Sequence, residues 1–249
     1  MLPAGIALHC LARTFCINAA VTTRGMQQIG LAFVLSPALR HLYPDTAARA
    51  RAFARYGGHS NTHVFMMPLY AGIVLSLEEQ IAHAALPEEA LAGIRGTLGA
   101  ALSALGDSFF SGSLLPLWVL TCSSLILAGL HWVALLLSLC LLVGLQIFRA
   151  LTFFTALRHG ITVLMWLRRL NLINWAGRIK MCNALLTALL AWQLCSIPAE
   201  EPAWQICAAA LAGLLATAWL KVRLRLPRLL FWLLLAGALI LMDEALPGM

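Results

Sequence analysis

Charge is scarce in this chain. Asp, Glu, Lys and Arg make up 11 % of its 249 residues, against about 25 % in an ordinary soluble domain. Acid is scarcer than base: 10 Asp and Glu face 17 Lys and Arg, for a net charge of +7. Hydrophobic residues reach 61 %, and the mean hydropathy is +0.87. This composition excludes a disordered chain and argues against a soluble domain. It fits a polytopic membrane protein, in which a basic excess marks cytoplasmic loops rather than a nucleic-acid partner. The seven cysteines are odd in number and form no C-x-x-C, so they read as reduced, apolar side chains. No basic residue precedes the first apolar stretch, MLPAGIALHC, so a cleaved signal peptide is not expected. There is no G-x-x-x-x-G-K-[ST] loop and no H-E-x-x-H, so neither an ATPase nor a zincin is expected. No cofactor or metal is expected. The string Gly106-Asp107-Ser108 lies on a membrane segment and lacks the soluble α/β setting of a serine esterase.

The chain is rich in long uncharged runs. Residues 108–148 carry no formal charge over 41 positions. A spanning helix needs about 20 residues, so this run predicts two crossings with a hinge at Gly129-Leu130-His131-Trp132. Further runs are 181–199, 202–220 and 229–242. Seven basic residues precede position 108, six lie in 149–180, and four lie in 221–228. That alternation predicts about five spanning helices, with the N-terminus inside. Segment 149–180, basic among Leu, Phe and Trp, reads as an in-plane cytoplasmic helix. The expected fold class is all-α: a polytopic membrane protein with amphipathic and re-entrant helical hairpins in the first half. The expected division is 1–112 for that hairpin region and 113–249 for the spanning region.

The first half is punctuated. Asp45 is placed to cap a short basic helix, and Pro87 with Glu88-Glu89 reads as a helix start. Residues 56–77 are uncharged but hold Gly57, Gly58, Pro68, Gly72 and the polar string HSNTH, closed by Glu78-Glu79. Residues 93–116 hold Gly93, Gly96, Gly99, Gly106, Gly112 and Pro116, with Asp107 between. Interrupted segments of this kind point to a binding site in many transporters, so 56–80 and 93–116 are expected to be re-entrant hairpins around a polar pocket. The opposing expectation is two amphipathic surface helices. His59 and His63 have a metal-compatible spacing, but Ser60-Asn61-Thr62 favour caps and turns over a continuous helix. A lone carboxylate such as Asp107 between apolar segments needs a partner or water.

Four blocks in order give the first half a resemblance. The first runs from Arg13-Thr14 through Met26-Gln27, Gly30, Phe33 and Pro37-Ala38 to Arg40 and Leu42-Tyr43-Pro44. The second is Asn61-Thr62-His63-Val64-Phe65, the third Gly72 through Leu77-Glu78-Glu79-Gln80. The fourth runs from Gly93-Ile94-Arg95 to Gly106-Asp107-Ser108-Phe109-Phe110-Ser111-Gly112 and Pro116. Together they resemble the IID component of mannose-family (mannose/fructose/sorbose) sugar phosphotransferase systems. Val64 stands where the family pattern has Pro, and Ser111 where it has Trp.

The resemblance implies a membrane subunit that pairs with a IIC membrane subunit and translocates a hexose-type sugar. The sugar is phosphorylated by a cytoplasmic IIA/IIB phosphocarrier, and no catalytic residue is expected in this chain. It further implies a trimer of IIC–IID pairs in the bacterial cytoplasmic membrane. The candidate sugar contacts are Asn61, Thr62, His63, Glu78, Glu79 and Asp107, side chains that accept from hydroxyls or also donate to them. Two other readings stand beside this one. One is a non-transporting partner or regulator of a IIC subunit. The other is a metal-dependent membrane enzyme built on His59, His63 and the two glutamates.

Overall fold

The computed structural model describes residues 2–195. The spans expected at 202–220 and 229–242, and the basic turn before the latter, lie outside the described residues. The chain divides into two units, Met1–Thr187 and Ala188–Met249, and the first contains every candidate residue. The described residues are almost wholly helical: α1 Ala4–Arg13, a 3-10 stretch Thr14–Ala20, α2 Gln28–Leu42, α3 Thr46–Ala54, α4 Met67–Ala82, α5 Glu88–Gly106, a π-helical stretch Asp107–Leu114, α6 Leu115–Leu127, α7 His131–His159, a short 3-10 turn Gly160–Thr162, α8 Val163–Arg169 and α9 Leu172–Cys195.

Local chemistry sets several boundaries. The Asp45 carboxylate accepts from the Ala48 N–H at 2.7 Å and caps α3. Helix α5 starts at Glu88, directly after Pro87, with both glutamates in the first turn facing the positive dipole end. Inside α2, Pro37 cannot donate to the Phe33 carbonyl. That carbonyl is satisfied instead by Arg13 Nη1 at 3.0 Å and by the Ser36 hydroxyl at 3.0 Å.

Helix α4 is the centre of the first half. Every residue from Met67 to Glu78 is buried, and each fully buried Leu, Ile or Met contributes about 1.5–3 kcal/mol. Its most extensive partner is α7. Gly72 makes their close crossing possible, since a Cβ there would lie 2.6 Å from the Phe153 carbonyl oxygen.

The expected hinge is present. Helix α6 ends at Leu127 and α7 begins at His131, with Gly129 at φ +77° between them. The two helices run back antiparallel: Trp118 Nε1 donates to Ser138 Oγ at 2.9 Å, and Phe110 meets Phe148 with ring centroids 5.6 Å apart. Their outer faces are apolar. Val119, Ile126, Trp132, Leu136, Leu142, Val143, Ile147 and Leu151 are all exposed, as on a helix whose solvent is lipid. Helical runs Glu88–Leu127 and His131–Leu194 are long and apolar enough to cross a membrane.

Two expectations give way here. Segment 93–116 does not fold back; the helix continues from Glu88 to Leu127 through the π stretch. The reason is local. Pro116 has no N–H and crowds the carbonyl four residues earlier, and the small residues Ser111, Gly112 and Ser113 let the helix widen instead of breaking. Segment 149–180 is not one in-plane helix either. Its first eleven residues complete α7, and Arg149 is buried there, donating to Thr14 Oγ1 at 3.2 Å. An aromatic face and a hydroxyl hold this cation, which the sequence reading places on an in-plane helix.

Candidate functional site

The six candidate residues fall into two groups at opposite ends of α4. Met67 and Glu79 are twelve residues apart, about 18 Å along the helix.

At the C-terminal end, Glu78 is 0 % exposed. Its Oε2 accepts from Arg55 Nη2 at 2.6 Å and from the Tyr43 hydroxyl at 2.8 Å. Its Oε1 accepts from Arg55 Nε at 3.0 Å and from the Tyr56 hydroxyl at 2.5 Å. Arg55 also reaches Glu88 at 2.9 Å. Through Arg55, bonded to both Glu78 and Glu88, this cluster ties the end of α3, α4 and the start of α5 together. Burial pulls the Arg55 guanidinium down, and the hydrogen bonds and charge of Glu78 more than offset this, leaving it above its ordinary value. Burial and the Glu78 hydrogen bond push the Tyr43 phenol up to about 12. Burial and the Glu78 charge raise Tyr56 well above its ordinary value. Glu79, half-buried beside this cluster, faces a separate surface cleft of about 230 Å³ with His41 and His83.

At the N-terminal end, residues 57–66 are irregular and lead into α4. They are fastened to the first block of the chain. Gln27 N donates to the Ser60 carbonyl at 2.8 Å, and Thr62 N donates to Gln27 Oε1, also at 2.8 Å. Gln27 Nε2 in turn donates to Asn18 Oδ1 at 2.9 Å. Thr62 is buried, and its hydroxyl donates to the Gly99 carbonyl at 3.5 Å. The His63 carbonyl accepts from Met66 and Met67 and so starts α4. The His63 ring stacks on Phe110, with centroids 5.4 Å apart at 12°. Its Nδ1 accepts from the Phe65 N–H at 3.3 Å, which leaves the proton on Nε2 to donate to Ser111 Oγ at 3.0 Å. Gly106 admits this ring, since a Cβ there would overlap the His63 side chain. Burial lowers the His63 pKa, against an opposing pull from Asp107.

Beside His63, Asn61 and Asp107 are both exposed. They line one cleft of about 360 Å³ together with His59, Ser60, Tyr70 and Arg95. Arg95 also donates to the Arg55 carbonyl at 2.6 Å. In the sequence Arg95 is part of a motif with no role attached, and nothing there singles out Tyr70. Only the contact of α5 with the irregular segment brings them in. The set of donors and acceptors suits a neutral polyol: an amide, a carboxylate, an imidazole, hydroxyls and a guanidinium line an open space. His59 and His63 do not lie on one helix. Among the described residues no three His, Cys, Asp or Glu side chains gather as a metal site.

These motifs and this fold can be compared with known proteins. The model of the PTS system mannose/fructose/sorbose family IID component matches residues 5–191. The chain belongs to that family. The mannose-specific EIID component of Escherichia coli K12 is 34 % identical over 106 residues, which cover 42 % of this chain and 38 % of that relative. The fructose permease IID component of Bacillus subtilis 168 is 29 % identical over 105 residues, again 42 % and 38 %. The chain thus matches less than two fifths of the length of these relatives. Among solved structures, one described as a membrane protein aligns at TM-score 0.72 and 22 % identity, covering 98 % of this chain and 97 % of that one. A chain of the mannose transporter ManYZ in complex with microcin E492 aligns at TM-score 0.53 and 20 % identity, covering 100 % and 99 %. These likenesses concern the fold. With the apolar helices, they place this IID component among all-α, multi-pass membrane proteins.

Proposed function

We propose that this IID component acts in phosphoenolpyruvate-dependent sugar uptake, paired with a IIC subunit in a bacterial cytoplasmic membrane. The family match over residues 5–191 carries this reading. The relatives named for mannose and fructose support a hexose-type substrate. The sugar is phosphorylated by a cytoplasmic IIA/IIB phosphocarrier, and the working assembly is a trimer of IIC–IID pairs.

Within this chain, Asn61 and Asp107, which line the same cleft, contact sugar hydroxyls. The amide both donates and accepts, and the carboxylate accepts from a pair of hydroxyls. Thr62 and His63 hold the segment that presents Asn61. Glu78 and Glu79 belong to the far end of α4, where Glu78 fixes the frame on which the cleft is built.

The test is a mild-detergent pull-down of the tagged chain from its native membranes, followed by sugar uptake with and without the chain. A stoichiometric IIC-type partner and uptake that requires the chain are expected. A IIC partner without any dependence of uptake would replace this reading with the non-transporting partner.

A further inference from the structure

Among described residues before position 119, the exposed large apolar side chains are confined to one stretch. Leu8, Phe15, Val21, Ile29 and Phe33 are 45–56 % exposed, and the next such residue is Val119. Helices α3, α4 and α5 carry none. The same stretch is purely basic: Arg13, Arg24 and Arg40 precede the first acid of the chain, Asp45. Arg13 lies over the Phe33 ring, 4.3 Å from its centroid.

The position of this patch follows from α7. The exposed apolar side chains of α7 run from Trp132 to Leu151, about 28 Å at 1.5 Å per residue. That matches a hydrocarbon core of about 30 Å. Arg149 stands at the far edge of this lipid-facing band, between exposed Ile147 and Leu151, and its guanidinium lies 3.7 Å from the Phe15 ring centroid. Phe15 thus joins the beginning of the chain to the end of that exposed band.

We propose that the face of α1, the 3-10 stretch and the start of α2 that bears Leu8, Phe15, Val21, Ile29 and Phe33 lies in the membrane interface. Its apolar side chains enter the acyl boundary, and its arginines face anionic lipid headgroups. Two features commit this face to lipid rather than to a second protein: its continuity with the band on α7 and its uniformly basic charge, which anionic lipid attracts. The in-plane element expected at 149–180 is thereby assigned to the beginning of the chain.

The test uses the full chain, with whatever copurifies, in nanodiscs containing a diazirine-tagged phospholipid, and maps the adducts by mass spectrometry. Adducts are expected on 8–33 and on 132–151, and none on α3. Omitting phosphatidylglycerol from a phosphatidylcholine disc lowers the adducts on 8–33 by roughly threefold or more and leaves those on α7 unchanged. The combined variant Leu8→Ser, Val21→Ser, Ile29→Ser lowers them by roughly fivefold, with α7 labelling as the control for folding. If that variant loses α7 labelling too, the wild-type map decides alone. Labelling of 132–151 without 8–33, or capture of 8–33 by a second polypeptide, would overturn the proposal.

Discussion

The two ends of α4 handle a carboxylate in opposite ways. At one end Glu78 is sealed from solvent and accepts four hydrogen bonds from Arg55, Tyr43 and Tyr56. At the other, Asp107 opens the π stretch on the wall of a cleft and is exposed. A buried, fully paired charge has no acceptor capacity left for a ligand; its removal strands its partners. An exposed carboxylate on a cleft costs the fold little and is available to substrate. In the sequence Glu78 closes an apolar segment and Asp107 lies between two. The structure seals the first and exposes the second, and the sugar contact is proposed only for the exposed one.

Substitutions at the two ends sharpen this contrast, and the largest effect belongs to the sealed end. Glu78→Ala leaves Arg55 and two phenols without their acceptor, and is expected to cost about 3–5 kcal/mol, read as a lowered thermal midpoint in detergent. An unchanged midpoint would remove the cluster from the frame. Next is Gly106→Ala, which drives a methyl into His63 and is expected to cost about 1–3 kcal/mol. Its companion readout is loss of the His63 contact with Ser111, seen as a change in the imidazole NMR signal. If the imidazole signal and the midpoint both stay, α5 packs against 59–63 more loosely than the overlap at Gly106 requires.

A smaller effect comes from pH. Burial holds the His63 pKa below its ordinary 6.5, so the folded state binds this proton less readily than the unfolded chain. Stability from this group is present above about pH 6.5 and is lost as pH falls through the lowered value. His63→Gln should flatten that acid limb of the midpoint-against-pH curve. A variant curve parallel to the wild type would mean that the ring titrates freely in the folded state.

Much of the frame is legible in the sequence. The uncharged run 108–148 with Gly129 announces a hairpin of two helices, Asp45 announces the cap of α3, and Pro87 with two glutamates the start of α5. These local patterns carry their own physics, so they read directly. The π stretch does not. Gly, Ser and Pro at 106–116 signal that the α register is disturbed, but not whether the chain turns back or merely widens. Pairings across the chain are also hidden. Arg55 with Glu78 spans 23 positions and Thr62 with Gln27 spans 35, and no periodicity encodes either. Arg149 counts as a cation of an in-plane helix in a charge tally, because the tally does not see the Phe15 ring against it.

The most direct measurement is sugar uptake by cells carrying Asp107→Asn, with the amount of membrane-assembled chain measured alongside. Removing one charge from an exposed position should leave stability within about 0.5 kcal/mol and assembly unchanged, while uptake falls at least about tenfold, the loss of roughly 1.4 kcal/mol of sugar contact. Uptake equal to wild type at equal assembly would contradict the account, because Asp107 would then contact no sugar.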